Sequence, residues 1–235
     1  MFRTTLTHNN TAGTEVNDAP YTEAHARTAL IRAVRRGYDV EATAAGGAFI
    51  TWARLDLDPR EDGRVLRHFR GLTITPDKPV GKLTPTQSED LDMIEQAGER
   101  ARIEQEGGRD VIRCGFLRVP PGLTARYRDR GYVTVEEDGR ARLTLAALLA
   151  RHAQGHVTRT TAPAGWGRPA DSGLITAGLN KPGRRAGLTY SGSSWAVCSC
   201  AELTACADTR EGARFKAREH RCAMTAAFVT ARLTA

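Results

Sequence analysis

An α+β chain is what this sequence predicts, and three stretches carry the prediction. Residues 20–57 pass from helical to strand periodicity, residues 82–152 mix both patterns behind a strongly marked helix start, and residues 194–235 set a short β-leaning hairpin before a helix. The organisation that follows is a polar N-terminus (1–19), a small α-β-β-β unit (20–76), a second mixed domain (82–152), a basic Gly/Pro-rich connection (153–193) and a C-terminal hairpin-plus-helix module (194–235). A chain of 235 residues is long enough for two small domains rather than one large one.

Residues 1–19 are polar and are expected to be disordered. Thr22 can then cap a helix whose apolar positions Ala26, Ala29, Leu30, Ala33 and Val34 recur at helical spacing until Gly37 stops it. Tyr38 to Ala42, Ala48 to Leu57 and Arg64 to Ile74 read as strands, separated by Ala44-Ala-Gly-Gly47 and Asp58-Pro-Arg-Glu-Asp-Gly63, both rich in turn formers. Pro76 to Gly81 is read as a domain boundary. Beyond it Thr84, Pro85 and Gln87 supply an N-cap, a proline at the first helical position and a capping-box partner, for a helix reaching about Ala97 with Leu91 and Ile94 inward. Val111 to Val119 is β-leaning, Pro120 to Arg130 reads as a short basic helix, residues 131–135 and 140–144 form a hairpin about Glu136-Glu-Asp-Gly139, and Leu145 to His152 closes as a helix.

That order of elements resembles a winged helix-turn-helix domain over residues 82–152. The resemblance lies in Leu83-Thr84-Pro85-Thr86-Gln87 at the first helix, Arg130-Gly-Tyr-Val133 where a recognition helix meets a wing, and Leu143-Thr144 after it. It implies that Arg126, Arg128 and Arg130 approach bases or phosphates of duplex DNA, and that Arg140 and Arg142 reach the adjacent backbone from the wing. Glu136, Glu137 and Asp138 at the wing tip oppose such a contact.

Four of the five cysteines lie between Cys198 and Cys222, together with His220. Alternation along a strand puts Cys198 and Cys200 on one face, where both can grip one ion, and a turn through Glu202 to Thr204 could swing Cys206 back over it. Thr209 to Arg221 reads as a helix capped by Asp208, so His220 can complete a tetrahedral zinc site. Cys222 is the alternative ligand, because two helical positions turn a side chain by about 200° and His220 and Cys222 cannot share one ion. The spacing resembles the compact hairpin-plus-helix zinc fingers of phage and mobile-element proteins of GC-rich bacteria. It departs from them in the added third Cys and in lacking the Gly-Trp that often follows the second. The competing reading is a set of buried free thiols beside an unrelated histidine. His152 and His156 have the spacing of a helical metal pair, but Gly155 sits between them at a helix end and they are read as structural or solvent-exposed.

The chain carries a net charge of +7, distributed unevenly. Residues 1–150 hold 22 basic and 22 acidic side chains, whereas residues 151–235 hold 12 and 5. Arg159, Arg168, Lys181, Arg184 and Arg185 sit in a Gly/Pro-rich stretch that suits either a phosphate-tracking arm or a solvated spacer. With no apolar leader and no membrane-length apolar run, a cytoplasmic protein is expected, and clustered cysteines in odd number favour a metal over disulfides. Phosphate-loop, nucleophile-elbow and His-Glu-x-x-His motifs are all missing, so an enzyme is not expected. Two functions remain: a zinc-containing, DNA-binding regulatory or accessory protein, or an adaptor that docks on a recombinase, polymerase or replication factor.

Overall fold

The computed structural model describes residues 1–8, 14–57, 65–160, 194–207 and 210–234. The chain is α+β and folds as two compact units, one of residues 1–154 with 228–235 and one of residues 155–227. Among the described residues, no helix is long and apolar enough to cross a membrane.

The first unit is built on a five-stranded antiparallel sheet of β1 (Phe2–His8), β2 (Thr14–Tyr21), β3 (Asp39–Ala42), β4 (Ala48–Leu57) and β5 (Val65–Pro76), in the order β2-β1-β5-β4-β3. Residues 2–8 and 14–21 are therefore paired strands, not the disordered leader expected for residues 1–19. Phe2 and Thr4 are buried, and β1 hydrogen-bonds to β5 along its whole length. The alternation Phe2-x-Thr4-x-Leu6 was the available signal, diluted by its threonines. Helix α1 (Glu23–Arg35) starts at Thr22, whose hydroxyl accepts from His25 N at 3.2 Å, and it buries Ala26, Leu30 and Ala33.

Helix α2 (Pro85–Ala97) opens with both halves of a capping box. Gln87 N donates to Thr84 Oγ1 at 3.3 Å, and Thr84 N donates to Gln87 Oε1 at 3.0 Å. Next come β6 (Ala101–Glu106), β7 (Arg109–Cys114) and β8 (Leu117–Val119), an antiparallel meander, then α3 (Pro121–Asp129). A winged helix-turn-helix would place its second helix where this meander stands. The glycines of the β6–β7 and β7–β8 turns, and the β-leaning run into Val119, favour strands there. The short hairpin of β9 (Val133–Val135) and β10 (Ala141–Leu143) leads into α4 (Leu145–Gly155). Thr144 caps α4 through Ala147 N and donates its hydroxyl to Gly131 O at 2.7 Å.

The break read at Pro76–Gly81 does not divide two domains. Leu30, Ile50 and Ile74 belong to the same buried cluster as Leu91, Ile94, Leu145 and Leu149, and Val80 of the connecting segment is buried among them. Gln154 clamps the junction: its side chain accepts from Leu83 N and donates to the carbonyls of Ala44 and Gly81. Gly46 lets the β3–β4 turn approach α4. Its φ is +86°, and a Cβ there would lie 2.5 Å from the Ala146 carbonyl oxygen.

The second unit contains β11 (Thr158–Thr160), β12 (Ser194–Cys198) and β13 (Thr204–Ala207), antiparallel in the order β11-β12-β13, followed by α5 (Arg210–Leu233). The helix extends well beyond Arg221, and Phe228 onward belongs to the first unit. Ala213 and Ala217 of α5 pack on Ala196 of β12, with Leu203 and Ala207 at the margin.

Candidate metal centre

The second unit brings four ligand-bearing side chains together. Nitrogen or sulfur atoms of His156, Cys198, Cys200 and His220 all lie within 4.8 Å of one another, and this cluster can hold a metal ion. Cys200 Sγ is 3.3 Å from His220 Nε2, and the His156 and His220 rings meet edge to face at 5.9 Å between centroids. A zinc ion with bonds of 2.0–2.3 Å to such a set would separate its ligands by roughly 3.3–3.8 Å, so small side-chain adjustments close the shell.

Each ligand is positioned by local structure. Cys198 ends β12 and Cys200 lies in the turn beyond it, where Ala201 N donates to Cys198 O at 3.0 Å. Ala201 has φ +65°, the left-handed conformation that glycine adopts more cheaply. His220 faces the knuckle from α5. His156 comes from just after α4 and is held there by Ser199, the residue between the two cysteines. The Ser199 hydroxyl accepts from Val157 N at 2.9 Å and donates to Gly155 O at 2.8 Å, while Ser199 N donates to Val157 O at 3.0 Å. Three hydrogen bonds thus bracket His156 and fix it beside the cysteine pair.

Burial, and next the neighbouring His220, lower the His156 pKa, which favours the neutral imidazole that ligates metals. Burial raises the Cys198 thiol, so an incoming cation must displace its proton.

Of the residues read from sequence, Cys198, Cys200 and His220 are in the cluster and Cys206 and Cys222 are not. The β12–β13 register explains Cys206. Trp195 pairs with Cys206 and Ala196 with Ala205, so Cys206 projects from the sheet face opposite Cys198 and lies several residues up the hairpin. It is exposed, with its carbonyl accepting from Lys216 Nζ. Cys222 is buried elsewhere on α5, as the 200° turn from His220 requires. His156 takes the fourth place, and the i, i+4 spacing misled in both directions. His152 instead stacks on Phe228 at 4.7 Å, and Gly155, which argued against a helical pair, is where the chain leaves α4 toward the knuckle. Nothing in local spacing links His156 to a cysteine pair 42 positions away. Cys114 is a buried thiol of the first unit, pushed up to about 11 by burial and then by Asp90.

The arginines expected to meet DNA are placed differently. Arg126 and Arg130 are exposed at the end of α3, but Arg128 pairs with Asp110. Arg140 is held by Glu99, Glu136 and Asp138, and Arg142 by Glu136 at 3.1 Å. The Arg140 backbone amide holds the Asp138 carboxyl below its usual range. Arg159 is exposed on β11, whereas Arg168, Lys181, Arg184 and Arg185 lie outside the described residues. Comparisons with protein-family models, with curated proteins and with solved structures find no match to this chain.

Proposed function

We propose that the chain binds one zinc ion through His156, Cys198, Cys200 and His220, and that the zinc-closed basic unit serves a nucleic-acid-binding regulatory or accessory protein. The observation that carries this reading is the convergence of two thiols and two imidazoles within 4.8 Å. Mixed nitrogen and sulfur donors in a set of four suit tetrahedral zinc, and a shell filled by protein ligands is structural in character. The nucleic-acid part is supported by charge, since residues 151–235 carry 12 basic against 5 acidic side chains. The acidic partners of Arg128, Arg140 and Arg142 move this reading from the β9–β10 hairpin to the second unit.

The adaptor reading has one observation in its favour. Phe116 and Leu117 stand fully or largely exposed at the β7–β8 turn, an apolar tip of the kind that meets other proteins. Metal analysis of protein purified without added zinc, followed by nucleic-acid titrations across a salt series, tests the proposal. About one zinc per chain and binding that weakens steeply with salt support it. A metal content far below one sinks the zinc assignment, and salt-insensitive capture of a protein partner transfers the function to the adaptor.

A further inference from the structure

Helix α2 and the β7–β8 turn enclose a groove of about 450 Å³ on the first unit. One wall is a stripe of α2 and of the 3-10 turn Gly98–Arg100 that follows it, made of Glu89, Asp92, Met93, Gln96, Ala97 and Arg100. At about 100° per residue these positions lie opposite the buried Leu91 and Ile94, which face the core. The other wall carries Phe116, with a relative exposure of 105 %, and Leu117, with 60 %. Neighbouring charges are matched within the chain: Asp92 pairs with Arg151, Arg118 with Glu106 and Glu99 with Arg140. Glu89 and Arg100, at opposite ends of the stripe, have no ion-pair partner among the described residues.

We infer that a second copy of the chain docks on this face, with α2 antiparallel to α2 about a two-fold axis. The stripe is self-complementary. Its positions are symmetric about the point between Ile94 and Glu95, so an antiparallel partner sets Glu89 against Arg100, Asp92 against Ala97 and Met93 against Gln96, each contact made twice. The two unmatched charges of one chain thereby meet their opposites in the other. A parallel partner would set Glu89 against Glu89 and Arg100 against Arg100. Exposed ion pairs of this kind add little affinity, but they fix register and reject the wrong one. Affinity comes from Met93, Ala97, Phe116 and Leu117, and the two Phe116 tips come to the same side of the paired helices. So small a patch sits at the weak end of specific interfaces, with a Kd of roughly 1–100 µM. The inference is independent of the zinc site and of the nucleic-acid reading, and it names an occupant for the tip that the adaptor reading leaves open.

Analytical ultracentrifugation of the purified full-length protein, over a series from about 1 to 200 µM that brackets a weak interface, tests this. The expected result is a monomer–dimer equilibrium that Phe116→Ser weakens about ten-fold or more. Glu89→Arg alone and Arg100→Glu alone should each weaken it by about ten-fold, because either change creates two like-charge contacts across the two-fold axis. The chain carrying both reversals should dimerise as the wild type does, and an equimolar mixture of the two single variants should form a heterodimer tighter than either homodimer. All three side chains are exposed, and a thermal melt of each variant confirms that the fold is intact. A wild type that stays monomeric across the series overturns the inference. So does a dimer indifferent to Phe116→Ser or to the single reversals, or one that the double reversal fails to restore. Capture of a different protein by the Phe116 tip of a monomeric chain overturns it as well and supports the adaptor reading.

Discussion

The two units differ in what holds them together. The first buries Tyr127, Tyr132, Leu30, Ile74, Leu91, Ile112, Leu145 and Leu149 almost completely, in one core that runs from the five-stranded sheet through α2, α3 and α4. Within it the buried Tyr127 donates its hydroxyl to Asp90 at 2.6 Å, and burial followed by that bond raises its pKa. Among the described residues of the second unit, the apolar cluster is Ala196, Ala213 and Ala217, accompanied by small or polar buried groups such as Ser194, Cys198, Cys222 and Thr225. Three buried alanine methyls contribute about 2–3 kcal/mol, against an ordering cost of roughly 1–2 kcal/mol for every residue fixed. Under the zinc proposal, coordination supplies the difference among these residues. The contrast teaches that, if the cluster is loaded as proposed, one chain solves the same entropic problem by large side chains in one place and by coordination in another.

The largest effect that separates the two units is chelation. Removing the metal should unfold β12, β13 and the first turns of α5 and leave the first unit intact, because structural zinc supplies about 10–16 kcal/mol at neutral pH. Hydrogen exchange before and after chelation reads this directly, with protection lost in β12, β13 and the first turns of α5 and retained in α2 and α4. Equal loss in both units would break the comparison. The converse perturbation is Leu149→Ala, at a fully buried position of the first unit. It should cost about 2–5 kcal/mol in denaturant unfolding of that unit without changing the zinc stoichiometry.

Smaller effects sharpen the account of how the site is positioned. Ser199→Ala removes the hydroxyl that brackets His156, and zinc affinity measured by competition with a chromophoric chelator should fall about 10–100-fold while Cys206→Ala leaves it unchanged. Ala201→Gly relieves a left-handed alanine in the knuckle. Offset by the greater freedom of glycine in the unfolded chain, it should stabilise the second unit by about 0.5–1 kcal/mol in a thermal melt.

Local signals made much of the fold legible. Thr22 and the Thr84–Gln87 box start α1 and α2 where they were expected, β4 spans Ala48–Leu57 as read, and the β9–β10 hairpin forms about Gly139. Tertiary context decided the rest. The strand at Phe2–His8 depends on pairing with β5, some seventy residues away, and the continuity of the core across Val80 depends on Gln154. The meander of β6–β8 defeated the winged-helix resemblance because order of elements was matched there without a second helix to support it. At the site, Cys198, Cys200 and the helix-borne His220 were picked out, but strand alternation was the wrong reason for Cys200, which reaches the cluster from the turn beyond β12. Cys206 was assigned by proximity in sequence, and only the antiparallel register shows that it faces away. His156 was set aside because a residue at a helix end has no periodic partner, yet Ser199 supplies one through hydrogen bonds that no spacing rule encodes.

The central claim is that two thiols and two imidazoles, not three thiols and one imidazole, surround the ion. X-ray absorption at the zinc edge of the purified protein measures this most directly, because sulfur and nitrogen neighbours fall at distinct distances of about 2.3 and 2.0 Å. Two of each are expected, with one nitrogen lost in His156→Ala and no change in Cys206→Ala or Cys222→Ala. A shell of three sulfurs and one nitrogen, indifferent to His156→Ala, would contradict it.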